Sequence, residues 1–119
     1  MIHHVTLEVS DLERAGTFYD GLLAPLGWRR HFDEAHIIGW GIGKPVFFVA
    51  EGPPRPGFGH VCFSALGIAA VKAAWESGVN AGGTSTGKPG ATSRHGSGSY
   101  SAFLTDPDGH SVEVTVDAE

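Results

Sequence analysis

The feature that most constrains the fold of this chain is an internal repeat with an offset of 56 residues. At this offset residues 4–7 (His-Val-Thr-Leu) fall on residues 60–63 (His-Val-Cys-Phe), and apolar residues at helical spacing follow in both copies. Both stretches end in glycine, at Gly27 and Gly83. A repeat of this kind predicts two copies of one structural unit. We expect modules at residues 1–52 and 58–119, joined by a Pro-rich linker at 53–57 into one structural domain.

Each copy is predicted to contain a strand, a helix and then further short strands. In the first copy, Ser10 and Glu13 match a capping box, which satisfies free amides where a helix begins. Pro25 and Gly27 end that helix. The predicted strands are 2–9, 28–32, 36–41 and 46–51 in the first copy, and 58–64, 99–105 and 111–116 in the second, whose helix is 68–77.

Residues 82–99 are rich in Gly, Ser and Thr and have no match in the first copy. Glycine makes up 18 of the 119 residues, about twice the usual ~7%. Long loops in compact domains are usually functional or mobile. We therefore predict that 82–99 is a loop that acts as a mobile lid over a site beside His60.

Composition excludes several classes of function. The 13 acidic residues exceed the 8 basic ones, so the net charge is −5, whereas binding to nucleic acid needs a basic face. The longest apolar stretches are far shorter than the ~20 residues that cross a bilayer, so no membrane association is expected. A single cysteine, Cys62, excludes an internal disulfide and favours a reducing compartment, here the cytoplasm.

Three of the predicted strands alternate polar and apolar residues, which places the polar side chains on one face of the sheet. Those polar positions are His4, Thr6 and Glu8, then His60, Cys62 and Ser64, and finally Ser111, Glu113 and Thr115. The simplest interpretation is a solvated sheet face. However, the repeat puts one histidine at the same point of each copy, and we expect related copies to bring these points together. Two histidines and one carboxylate form a typical divalent-metal site.

The chain resembles the vicinal oxygen chelate superfamily, which includes glyoxalase I, bleomycin-resistance proteins, fosfomycin-resistance thiol transferases and extradiol dioxygenases. The resemblance rests on three segments that follow in the right order and extend from residue 3 to residue 114. They are 3–15 (HHVTLEVSDLERA) with Phe18 and Tyr19 after it, 59–63 (GHVCF) and 103–114 (FLTDPDGHSVEV). It implies an α+β fold of two βαβββ modules that form a cupped mixed sheet with helices on the outer face.

The resemblance also implies a function. His4, His60 and Glu113 stand where metal-binding members place their ligands, so a divalent ion is expected, with zinc, manganese, iron, nickel and cobalt all open. The substrate would be a small oxygen-rich molecule and the reaction that of a lyase, thiol transferase or dioxygenase. In many relatives a homodimer shares the site, with His4 from one chain. The alternatives are a metal-independent protein that binds a small molecule or antibiotic, and a residual site with neither function.

Glyoxalase I takes a fourth ligand from the last strand of its first unit. Aligning Gly43 with Gly109 puts Phe47 opposite Glu113, and phenylalanine cannot bind a metal. Four-ligand glyoxalase I chemistry is therefore not expected. A three-ligand site with open positions is more similar to that of the thiol transferases or dioxygenases.

Further residues complete the predicted site. Glu113 and Thr6 are the candidate catalytic residues, since the hydroxyl of Thr6 can bond a substrate oxygen. The candidate substrate pocket consists of side chains on strands and in the predicted loop, which also have ordinary structural explanations. They are Phe47, Cys62, Tyr100, Lys88 and Arg94.

Overall fold

The protein is described here from a computed structural model that covers residues 1–92 and 98–117. Eight strands and two α-helices follow the order βαβββ–βαβββ, which confirms the predicted α+β fold. The elements are β1 Val5–Val9, α1 Leu12–Leu23, β2 Arg29–Glu34, β3 Ile37–Gly41, β4 Phe47–Glu51, β5 His60–Ser64, α2 Ile68–Asn80, β6 Thr84–Thr92, β7 Ser99–Thr105 and β8 Ser111–Asp117.

The strands form two four-stranded mixed sheets with the same topology. The strand order is β1-β4-β3-β2 in the first sheet and β5-β8-β7-β6 in the second. In each sheet the first strand pairs in parallel with the last, and the remaining pairs are antiparallel. The helix between the first two strands of each unit covers one sheet face. We call the other face of each sheet the inner face.

Helix α1 begins one residue later than the capping-box pattern predicts. Asp11 is the N-cap, and its carboxylate accepts a hydrogen bond from the amide of Arg14 at 3.0 Å. Ser10 instead donates its hydroxyl to Asp108 in the second module, so the predicted capping box is wrong. The end of the helix follows the prediction, because a 3₁₀ turn containing Pro25 leads to Gly27 in the left-handed region at φ 84°.

One hydrophobic core runs through both modules. The rings of Phe47 in β4 and Phe63 in β5 are 5.1 Å apart, and Trp28 contacts Phe63 at 5.4 Å. Helices α1 and α2 also pack against each other. The core is therefore continuous between the two modules. Neither helix in the described part of the chain is long and apolar enough to cross a membrane.

A buried polar network also joins the modules. The Tyr19 hydroxyl of α1 donates to the Asp106 carboxylate at 2.8 Å, and both side chains are almost fully buried. Asp106 also accepts from the amides of Asp108 and His110, which closes the β7–β8 turn. The imidazole of His110 bonds to the carbonyl of Glu8 in β1 at 2.8 Å. The turn between β7 and β8 therefore also connects the two modules.

The sequence predicts that the segment 82–99 is one long loop, and this prediction is wrong for most of the segment. Most of it is β6, which pairs antiparallel with β7 and carries two register shifts, between Ser85 and Gly87 and between Gly87 and Gly90. An exposed edge strand needs only backbone pairing on one side, so it does not require alternating apolar residues. Residues 93–97 lie outside the described part of the chain, so the lid hypothesis remains a prediction.

Candidate functional site

Two of the three predicted metal ligands meet on the inner face of the second sheet. The Nε2 atom of His60 in β5 lies 3.1 Å from the Oε1 atom of Glu113 in β8. The Glu113 side chain is fully buried, whereas that of His60 is 39% exposed. Burying a carboxylate is costly unless it is paired or hydrogen-bonded. This pair therefore presents a fixed carboxylate behind an imidazole that solvent can reach.

Cys62 adjoins the same carboxylate. It is the parallel-strand partner of Glu113, two residues beyond His60. Burial, together with the negative charge of Glu113 and a hydrogen bond to it, raises the pKa of the Cys62 thiol to about 12. At neutral pH the thiol is therefore protonated and donates a hydrogen bond to Glu113.

The third predicted ligand, His4, does not join this pair within one chain. It lies just before β1, where its ring contacts that of Phe48 at 5.5 Å and its Nδ1 atom lies 2.9 Å from that of His3. Among residues 1–92 and 98–117, no three His, Cys, Asp or Glu side chains are grouped closely enough to hold a metal ion.

The seam, where β1 of the first module meets β5 of the second, explains why His4 lies apart from His60 and Glu113. A cleft of about 410 Å³ is lined by Thr6 and Glu8 on one side and His60 on the other. A smaller cleft of about 190 Å³ is lined by His4 on one side and Cys62 on the other. Later residues of β1 therefore face earlier residues of β5, so the two strands run antiparallel to each other across the seam. His4 lies just before the start of β1 and His60 begins β5, so the two histidines lie in different clefts.

The strand registers identify which residue of the first module corresponds to Glu113. Glu113 pairs with Cys62, and Cys62 corresponds to Thr6 in the repeat. Thr6 pairs with Phe48. The counterpart of Glu113 is therefore Phe48 rather than Phe47, and the alignment of Gly43 with Gly109 was wrong by one residue. The chemical conclusion is unchanged, because neither phenylalanine can bind a metal.

Comparisons with known proteins identify the family. A profile of the Glyoxalase/Bleomycin resistance protein/Dioxygenase superfamily matches residues 1–114, nearly the whole chain. The chain belongs to this superfamily. No curated protein matches the chain significantly.

Several solved structures of glyoxalase-type proteins share the fold. A glyoxalase/bleomycin resistance protein from Albidiferax ferrireducens T118 is 27% identical with a TM-score of 0.85, covering 95% of this chain and 96% of its own. A glyoxalase-related enzyme from Fulvimarina pelagi is 25% identical with a TM-score of 0.75, covering 96% and 86% respectively. Fosfomycin resistance protein FosX from Mesorhizobium loti, at 20% identity and a TM-score of 0.69, covers 97% and 90% and shows the fold alone.

Two aromatic residues assigned to the pocket of this glyoxalase-fold chain lie on the helix side of their sheets. Phe47 is 2% exposed and packs against Tyr19 at 4.8 Å, within the hydrophobic core. Tyr100 pairs with Val116 and packs against the same core. Alternation along the strands turns both residues away from the inner face. Phe47 nevertheless lines the smaller cleft together with His4 and Cys62, so its pocket role, like that of Tyr100, stays a prediction.

The remaining predicted residues have different positions. Thr6 is exposed and lines the larger cleft together with His60. This position is compatible with its predicted role of bonding a substrate oxygen. Lys88 is exposed in β6, within the irregular segment between Gly87 and Gly90. Arg94 lies outside the described residues.

The sequence analysis missed three aromatic residues on the inner faces. Phe48 pairs with Thr6, Phe32 pairs with Gly39, and Phe103 pairs directly with Glu113. Alternation could have identified Phe103, because it lies between Ala102 and Leu104, which are both fully buried on the helix side. It could not have identified Phe48 safely, because residues 46–49 (Val-Phe-Phe-Val) are apolar without alternation.

Proposed function

We propose that this chain is a metal-dependent enzyme that acts on a small oxygen-rich molecule. The observation that carries this proposal is the buried Glu113 carboxylate held 3.1 Å from the imidazole of His60 on the inner face. Imidazole and carboxylate together suit divalent zinc, manganese, iron, nickel or cobalt. The thiol of Cys62 donates a hydrogen bond to this carboxylate, and hydrogen bonds of this kind commonly orient metal ligands.

We further propose that a homodimer completes the site. His60 and Glu113 supply two ligands, and His4 of the partner subunit supplies the third. Two observations support this arrangement, namely that His4 is exposed and that it lies in a different cleft from His60 within its own chain. A monomer found by sedimentation equilibrium at micromolar concentration would contradict it.

The bound ion would act as a Lewis acid towards two neighbouring substrate oxygens. Glu113 is fully buried and paired, so its carboxylate keeps one orientation. Thr6 presents a hydroxyl in the larger cleft, where it can bond a substrate oxygen near His60. That cleft, at about 410 Å³, is of the size that small-molecule ligands occupy.

Metal content of the purified protein tests the proposal. After incubation with each candidate ion and dialysis, the wild-type protein should retain stoichiometric metal by mass spectrometry. His4→Ala, His60→Ala and Glu113→Gln should each reduce the affinity at least about tenfold. His36→Ala is the matched control, because His36 is exposed and pairs only with Glu51 at 2.9 Å in the described part of the chain. Retention of metal by all three variants would refute the site.

The second candidate function is metal-independent binding of a small molecule or antibiotic. Phe48 favours it, because an aromatic residue stands where the fourth ligand of a glyoxalase I site would be. The relative from Albidiferax ferrireducens is a glyoxalase/bleomycin resistance protein. Chelation separates the candidates, since a binder keeps its ligand affinity after EDTA treatment while the proposed enzyme loses activity.

The cellular compartment is also a proposal. Cys62 is a free thiol and the only cysteine of the chain. A free thiol beside the proposed ligands suits the reducing cytoplasm.

A further inference from the structure

We propose that the inner face of the first module binds an aromatic ring of the substrate. This inference names the substrate class and rests on the proposed function, because it assumes that the ring belongs to the molecule whose oxygens bind near His60 and Glu113. It depends on a row of residues that crosses the first sheet.

The row is set by the strand registers. Phe32 in β2 pairs with Gly39 in β3, Gly39 pairs with Phe48 in β4, and Phe48 pairs with Thr6 in β1. These four residues point to the inner face, because their neighbours Ile38 and Trp40 are buried on the helix side. The first module therefore has two phenylalanines where a solvated sheet face carries polar side chains.

Gly39 makes room for one of the two rings. A Cβ atom at this position would lie 2.6 and 2.7 Å from two ring carbons of Phe48, closer than real contacts allow. The Phe48 ring therefore leans across β3 towards Phe32, with 6.2 Å between the ring centroids. On its other side it meets the ring of His4 at 5.5 Å. The result is one continuous aromatic surface that ends at a proposed metal ligand.

This aromatic surface remains open in the chain. Phe32 is 40% exposed and Phe48 is half-buried, so neither ring belongs to the hydrophobic core. Exposed aromatic side chains grouped beside polar ligands are typical of small-molecule sites. Since the surface adjoins His4, the group that covers it belongs to whatever binds at the proposed metal site.

The second module carries a matching feature. Phe103 pairs with Glu113, and its ring leans over Gly87 in β6, where a Cβ atom would lie 3.0 Å from a ring carbon. An aromatic ring therefore also stands beside the carboxylate that would hold the metal. A ligand that satisfies both modules has a planar aromatic body and an oxygen substituent at its edge.

Two probes of the same carbon skeleton test this inference. Binding of 2-naphthol and of decahydro-2-naphthol is measured by ligand-observed NMR on EDTA-treated full-length protein, so that the test does not depend on metal. Contacts between aromatic rings add about 0.5–1.5 kcal/mol beyond the buried area, so we expect about three- to tenfold tighter binding of 2-naphthol. Phe48→Leu and Phe32→Leu should remove most of this preference while keeping apolar volume. Leu66→Ala, at a fully exposed leucine, should leave it unchanged.

Each outcome decides the inference. Equal affinity for the two probes overturns it, and so does a preference that survives in both leucine variants. If the two leucine variants change the dissociation constant of the dimer but leave the probe preference unchanged, the inference is also overturned, because the surface would then be a subunit interface. If the protein binds no metal but still prefers 2-naphthol, the inference is supported and the proposed metal-dependent function is refuted.

Discussion

The inner faces of the two modules differ although their backbones follow the same plan. The row that crosses the first sheet is Phe32, Gly39, Phe48 and Thr6, and the corresponding row in the second sheet is Gly87, Phe103, Glu113 and Cys62. Each row contains one glycine beneath a leaning phenylalanine ring. Only the second row carries a carboxylate.

The helix-facing positions of the same strands have stayed alike. Phe47 and Val49 in β4 correspond to Val112 and Val114 in β8, and all four are at most 2% exposed. Core packing restricts these positions to apolar side chains that fill the available volume. The inner faces carry no such restriction, so the two halves of a duplicated fold can take different chemical roles.

The largest expected effect comes from placing a charge on the helix-facing side of β4, inside the hydrophobic core. Phe47→Glu should prevent folding or lower the free energy of unfolding by more than about 4 kcal/mol, because a carboxylate would replace a ring in the core. Circular dichroism and thermal melting check this. A stable, folded Phe47→Glu protein would show that the register assigned here is wrong.

The polar network of the β7–β8 turn should have the next largest effect. Asp106→Ala removes the acceptor of the Tyr19 hydroxyl and of two backbone amides, so we expect a loss of about 3 kcal/mol in the free energy of unfolding. Urea denaturation measures it. Asp33→Ala, which removes an exposed ion pair with Arg30, should cost less than about 1 kcal/mol. Equal losses in the two variants would refute the role of the network.

Phe48→Glu tests the equivalence of Phe48 and Glu113. The substitution adds a carboxylate on the inner face beside His4, so the protein should fold and bind a divalent ion about tenfold more tightly than wild type. Titration with a competing chelator provides the measurement, and Phe48→Gln is the uncharged control. Weaker metal binding by Phe48→Glu than by Phe48→Gln would contradict the equivalence.

The repeat and the alternation of side chains predicted two modules that each contain a strand, a helix and further strands, because both patterns arise from local sequence and burial. The βαβββ arrangement and the cupped sheet were implied by the family resemblance. The two patterns also predicted that His60 and Glu113 share a face. They failed for β6, whose exposed Gly-rich edge lacks an apolar pattern, and for Phe48, which lies in an unbroken apolar run. Sequence spacing also misplaced His4, because the antiparallel seam between β1 and β5 is a tertiary feature.

The smallest expected effect concerns Cys62. Its pKa of about 12 lies above that of an unfolded thiol, about 8.5, so the folded state holds the proton more strongly. The stability that this contributes is complete below about pH 8.5 and is lost as the pH rises towards 12.

Reactivity gives a direct check of the Cys62 environment. At pH 8 in EDTA, alkylation of wild-type protein by iodoacetamide should be slow. Glu113→Gln removes the neighbouring negative charge and should accelerate alkylation a few-fold, as the pKa of the thiol falls. Identical rates in the two proteins would show that the carboxylate does not act on the thiol.

Mixed dimers test the proposal that two chains share the metal site. His4→Ala and Glu113→Gln chains with different tags are co-expressed, and the heterodimer is purified and analysed for metal. If His4 of one chain serves His60 and Glu113 of the other, both variant homodimers lose metal while each heterodimer keeps one intact set of ligands and binds one ion. Metal-free heterodimers, or metal retained by either homodimer, would show that the two chains do not share the site.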